Sequence, residues 1–145
     1  MSDFRKLTDS MLASPQITAE DVAAAARAGI TLIINNRPDG ESPDQPDGAE
    51  IEAAATAAGI AYCAIPITQA GFSLPQVEAM GEALSKAEGP VLAYCRSGTR
   101  STLLWALAQA KAGEDPEDLA VMAQRAGYDI SPVRPAMDAL ATQAD

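Results

Sequence analysis

The 145-residue chain carries 10 basic against 20 acidic side chains, a formal charge of −10, and it has no histidine. That balance argues against a nucleic-acid partner, because a phosphate backbone is met by a basic footprint. The missing imidazole excludes Ser-His and Cys-His dyads, and two cysteines, Cys63 and Cys95, make neither a disulfide framework nor a metal site.

A small anionic substrate remains compatible with this charge, since a positive pocket fits inside an acidic shell. The length suits one domain, residues 1–145, burying roughly 68–70% of the surface its unfolded chain would expose. No run approaches the ~20 apolar residues of a membrane span, and "MSDFRKLTDS" has no signal-peptide core. The expectation is a cytoplasmic protein of prokaryote-like composition, with no membrane contact, no metal and no cofactor. Nothing in the sequence speaks to its oligomeric state.

In chain order, "FRKLTDSMLASPQ" predicts one or two edge strands. "ITAEDVAAAARAG" (17–29) reads as a helix, with Thr18 as N-cap, acidic residues in the first turn and Gly29 as its stop. "ITLIINN" (30–36) is a β-branched strand. The Pro-, Gly- and Asp-rich stretch 35–48 is a surface connection. "GAEIEAAATAAG" is a second helix and "IAYCAIPI" (60–67) a further strand, in which Cys63 reads as a small buried hydrophobe. "SLPQVEAMGEALSKAEG" is a helix capped by Ser73 with Pro75 in its first turn. "PVLAY" is the next strand, and "STLLWALAQAKAG", "DPEDLAVMAQRAG" and "SPVRPAMDALATQ" are three closing helices. Trp105 sits at core spacing in the first of these. Strands alternating with helices predict an α/β fold, with a four- to five-stranded, mainly parallel sheet flanked by helices.

The chemistry gathers in "PVLAYCRSGTRST". Ligands of such sheets bind at the carboxyl ends of the strands, and Cys95 ends one. The loop Arg96, Ser97, Gly98, Thr99 and Arg100 leads into a helix expected to start near Arg100 or Ser101. Its backbone N–H groups and the helix N-terminus form a candidate anion nest. Gly98 supplies the backbone freedom to close the curve, and Arg100 adds a planar two-pronged donor. The same donors stabilise a thiolate at Cys95 without a histidine. Cys95, Arg100 and Ser101 are the candidate catalytic residues, with Ser101 expected to donate to the thiolate.

"CRSGTRS" resembles the active-site loop of rhodanese-type sulfurtransferases, in which an arginine falls five positions after the cysteine. Tyrosine and dual-specificity phosphatases have a loop one residue longer with a histidine before the cysteine, and this chain has Tyr94 there and Ser101 at the arginine position. The order "ITAEDVAAAARAGITLIINNRPDGE", "AGIAYCAIPIT", cysteine loop and trailing helices is nevertheless similar to compact dual-specificity phosphatases. It is more similar still to the bacterial phosphatase-like domain family of beta-lactamase-hydrolase-like proteins, also labelled sulfur transferases. The resemblance covers about residues 3–140 and implies a tyrosine-phosphatase-like fold with a cysteine nucleophile.

Two chemistries follow from it. A phosphatase needs a general acid for its leaving alkoxide, yet "ITQAGFS" (67–73) holds no carboxylate, and Asp39 and Glu41 read as turn and salt-bridge residues. The shorter loop makes a smaller cradle, suited to one transferred sulfur, and sulfite leaves without strong acid assistance. Sulfur transfer through a Cys95 persulfide is the leading expectation. The alternatives are phosphomonoester hydrolysis through a phosphocysteine and a non-catalytic module that binds anions or phosphoproteins.

Overall fold

The computed structural model describes residues 2–143. Its strands are β1 (Arg5–Thr8), β2 (Met11–Ser14), β3 (Leu32–Asn35), β4 (Ala61–Ala64) and β5 (Val91–Tyr94). Its helices are α1 (Ala19–Arg27), α2 (Gly48–Ala57), α3 (Leu74–Lys86), α4 (Thr99–Lys111), α5 (Pro116–Arg125) and α6 (Arg134–Gln143), with a 3-10 turn at Ser131–Val133 before the last.

The sheet order is β1-β2-β5-β3-β4. β2, β5, β3 and β4 run parallel, and only the β1–β2 hairpin is antiparallel. The first segment therefore supplies both expected strands, but β2 is interior. It pairs with β5 from Met11↔Val91 to Ser14↔Tyr94, which leaves β1 and β4 as the edges. Short polar stretches on either side of "MLAS" hide this placement, because edge and interior differ in hydrogen bonding rather than in composition.

The central strands alternate their side chains between two cores, as the period-2 pleat requires. Ile33, Leu92 and Tyr94 join Val22, Ala25, Ile51 and Ala55 of α1 and α2 on one face. Leu32, Ile34, Val91 and Ala93 join α3 and the carboxyl-terminal helices on the other. All four β5 residues are buried, which explains an apolar run with no polar alternation. α4 is buried almost all round, including Trp105 at 1% exposure. Local chemistry fixes the helix starts. Thr18 and Asp21 form a reciprocal capping box on α1, Gln76 Oε1 accepts from the Ser73 amide at 2.9 Å on α3, and Asp115 caps α5 through the Glu117 amide at 2.9 Å.

Cys63 lies on the edge strand and is only half buried, packed against the periphery of the larger core. Burial pushes its thiol's pKa up. It behaves as a small hydrophobe, but on a more open strand than its apolar neighbours suggest. Among the described residues, no helix is long and apolar enough to cross a membrane.

Trp105→Ala, emptying the centre of α4, is expected to cost about 3–5 kcal/mol. Leu74→Ala, at a position 53% exposed, should change stability by no more than about 0.5 kcal/mol. Urea unfolding midpoints of the two variants check the pair.

Candidate active site

The carboxyl end of β5 hands the chain directly to α4 through Cys95, Arg96, Ser97 and Gly98. Cys95 is fully buried, and the Gly98 N–H donates to its Sγ at 3.1 Å. Gly98 has φ +94°, and a Cβ there would collide with the Tyr128 hydroxyl, so the position admits glycine alone. Both the amide and the hydroxyl of Thr102 donate to the Gly98 carbonyl, at 3.0 and 2.8 Å. They start α4 at Thr99, one residue before the expected range.

The backbone amides of Arg96, Ser97 and Arg100 meet no acceptor among the described residues. They sit at or just before a helix N-terminus, where such donors are characteristic anion ligands. Thr99 departs from the expected ring of donors. Its amide folds back to Ser97 Oγ at 3.3 Å, while Ser97 Oγ donates to Thr99 Oγ1 at 3.0 Å.

Arg100 reaches across the mouth of the sheet. Its Nη1 and Nη2 donate to Glu41 Oε2 and Oε1 at 2.7 and 2.9 Å, and Nη1 also donates to the Ile67 carbonyl at 2.8 Å. Glu41 is shared. Arg37, 5% exposed, gives its Nε to Glu41 Oε1 at 2.9 Å and its other nitrogens to Gln16 Oε1 at 3.0 Å and Ser42 Oγ at 3.3 Å. The hydrogen bond from Arg100, reinforced by Arg37 and opposed by burial, holds the Glu41 carboxyl down at about 2. Arg100 is raised in turn, first by Glu41 and then by the nearby Cys95 sulfur, against partial burial.

Ser101 is not where the sequence reading put it. Its hydroxyl donates to Asn36 Oδ1 at 2.7 Å, and Asn36 passes its own Nδ2 hydrogen to the Ile65 carbonyl at 2.9 Å. A hydroxyl has one proton to give, so Ser101 ties α4 to the end of β3 and does not serve Cys95. The acceptor lies 65 residues upstream, beyond the reach of any local pattern.

Glu41, Thr68, Gln69, Arg96 and Arg100 line a cavity of about 360 Å³ over the loop. Glu41 is the one carboxylate in that lining among the described residues. Asp39 faces elsewhere, accepting the Gly48 amide at 2.8 Å as a loop staple. Asp39 and Glu41 thus have the turn and salt-bridge roles read for them. A larger cavity of about 460 Å³ lies at the other end of β5, bordered by Ser10, Pro90 and Gln109, far from Cys95.

The fold is shared with the solved structures of Tk-PTP and PTPMT1, which superpose with TM-scores of 0.77 and 0.73 at 15% and 11% identity. Residues 3–112 match the family described as "Beta-lactamase hydrolase-like protein, phosphatase-like domain", and the chain belongs to it. A beta-lactamase hydrolase-like protein of Xylella fastidiosa is 34% identical over 125 residues, which are 86% of this chain and 29% of that protein. The chain thus spans less than a third of the curated relative's length. The crystal structure of a provisionally designated phosphatase from Neisseria meningitidis is 36% identical, with a TM-score of 0.84 over 97% of this chain and 99% of that one. A structure of TpbA from P. aeruginosa, a cysteine-to-serine variant in complex with pTyr, superposes with a TM-score of 0.67 over 99% of this chain and 85% of that one. At 19% identity it shares the fold.

Glu41 has a native pKa of about 2, below its ordinary 4.5. Its stabilising contribution is therefore complete above pH 4.5 and fades as the pH falls toward 2. Glu41→Gln should cost about 1–3 kcal/mol at pH 7, because it leaves buried Arg37 without its counter-charge. Denaturation series at several pH values should show the gap between the two proteins closing across that window.

Proposed function

We propose that this chain is a cysteine-dependent sulfur-transfer enzyme that carries its cargo as a Cys95 persulfide. The observation that carries the reading is the state of Glu41. The one carboxylate lining the cavity over the loop among the described residues is held ionised between two guanidiniums with a pKa of about 2, so at neutral pH it has no proton to give a leaving alkoxide. The loop after β4 offers Thr68 and Gln69 to the cavity and no acid. Ser101 is committed to Asn36, which also removes the hydroxyl that would ease a thiolate out of a phosphocysteine.

Sulfur transfer makes neither demand. The Cys95 thiolate attacks the outer sulfur of a thiosulfate-like donor, the S–S bond breaks, and sulfite departs with the electron pair and its negative charge. Cys95 keeps the sulfur as a persulfide anion. A nucleophilic acceptor, cyanide or a thiolate, then takes the outer sulfur and returns the Cys95 thiolate. Arg100 and the unpaired amides of Arg96, Ser97 and Arg100 hold the anionic substrate, the Gly98 N–H stays on the Cys95 sulfur, and Glu41, braced by Arg37, keeps Arg100 extended over the anion. The substrate class is a small anion.

Phosphomonoester hydrolysis is the second reading, favoured by the family and the fold. It predicts a specific handicap here: without an acid, alkyl phosphates forgo the ~10²–10⁴-fold that general acid catalysis supplies. Aryl phosphates, whose leaving groups need little protonation, lose less. A non-catalytic anion-binding module would keep the nest and show no turnover at all.

Steady-state assays separate the three. Thiosulfate and cyanide should give thiocyanate with the native protein and none with Cys95→Ser, while alkyl phosphates are hydrolysed poorly. Efficient alkyl phosphate hydrolysis with no thiocyanate would favour the phosphatase reading instead. Anion binding without either reaction would favour the module.

A further inference from the structure

One peptide group does two jobs at the loop. The Gly98 N–H that donates to Cys95 Sγ at 3.1 Å belongs to the same peptide unit as the Ser97 carbonyl, and that carbonyl accepts the Tyr128 hydroxyl at 3.0 Å. A peptide unit is planar and trans, so its N–H and C=O point in opposite directions. A donor that captures the carbonyl on one side therefore aims the N–H on the other. Gly98 cannot fix this orientation itself, because glycine takes positive and negative φ with similar ease. If the Ser97–Gly98 peptide turned over, it would present a carbonyl oxygen to the sulfur where a donor now stands, and a thiolate facing that oxygen is repelled.

We propose that Tyr128 is a positioning residue, holding the Ser97–Gly98 peptide in the orientation that delivers its N–H to the Cys95 sulfur. Tyr128 lies in the turn after α5, outside the stretch 3–112 that matches the family. It is well placed for the task. The ring is 7% exposed, and the Arg5 guanidinium sits 5.1 Å from its centroid. Arg5 is itself fixed by Asp3 through contacts of 3.0 and 3.3 Å. Burial raises the phenol above its ordinary value, so it remains a donor at neutral pH. The left-handed Gly98 also packs directly under the hydroxyl, where any side chain would collide. Brace and glycine therefore form one fitted contact, set from β1 and the α5–α6 connection rather than from the loop.

The proposal rests on Cys95 being the nucleophile, and the experiment keeps the two ideas apart. Tyr128→Phe removes one hydroxyl and keeps the ring that faces Arg5. Nuclear magnetic resonance of the native protein should show the Gly98 amide proton far downfield, and Cys95→Ser should abolish that shift. Tyr128→Phe should move the resonance partway upfield. In parallel, iodoacetamide labelling at fixed neutral pH is followed separately at Cys95 and Cys63 by mass spectrometry. A neutral hydrogen bond of this kind biases a two-state equilibrium by about three- to tenfold, so Cys95 labelling should slow by that factor while Cys63 stays unchanged. A purely structural role would give the opposite sign, since a loosened loop exposes Cys95 and speeds its labelling. An unmoved Gly98 resonance, or Cys95 labelling that is equal or faster in the variant, would overturn the proposal. A native Cys95 that resists the reagent would count against the nucleophile, and the resonance would then decide the brace alone.

Discussion

A single carboxylate, Glu41, gathers the active end of this sheet. Its two oxygens take three hydrogen bonds from Arg37 and Arg100, and those guanidiniums reach on to Gln16, Ser42 and the Ile67 carbonyl. Gln16 follows β2, Arg37 to Ser42 follow β3, Ile67 follows β4 and Arg100 follows β5. One polar network therefore ties together the carboxyl ends of all four parallel strands. Burying Arg37 is costly in itself, and it is tolerated because its charge is matched and its nitrogens find acceptors.

The same network sets the chemistry. A carboxylate held ionised by two cations orients an arginine and cannot serve as an acid. The cavity is lined by Arg96 and Arg100 beside that one carboxylate, a cationic mouth within a chain of net charge −10. On the proposed reading, a small anion is drawn in by local field in spite of the overall charge, and a reaction whose leaving group departs already as a stable anion is the one this site would favour. The fully buried Cys95 sulfur adds a steric demand, since a small donor reaches it more readily than a bulky one.

Much of this was legible in the sequence where the information is local. The buried run "PVLAY", the cysteine at its end, Gly98 and the apolar helix after it lie within a few residues of one another, and strand period and turn chemistry suffice to read them. The α/β alternation was legible for the same reason. The interior place of β2 was not, because it depends on which strand lies alongside. The partner of Ser101 was not either: the hydroxyl had a plausible local acceptor in Cys95, and tertiary packing supplied Asn36 instead. Glu41 could be read as a salt-bridge residue within "RPDGE", but its partner Arg100 lies 59 positions away. Tyr128 carried no signal at all, since a tyrosine after a helix-stopping glycine reads as ordinary core.

The central claim is that Cys95 carries sulfur, and the mass of the protein tests it most directly. The native chain and Cys95→Ser would be exposed separately to thiosulfate and to a phosphomonoester, then measured intact and after digestion. The account predicts that thiosulfate adds the mass of one sulfur, confined to the peptide containing Cys95, absent from Cys95→Ser and removed by cyanide. A Cys95 that never gains sulfur, in a protein that becomes phosphorylated at that residue and releases phosphate from alkyl esters, would contradict it.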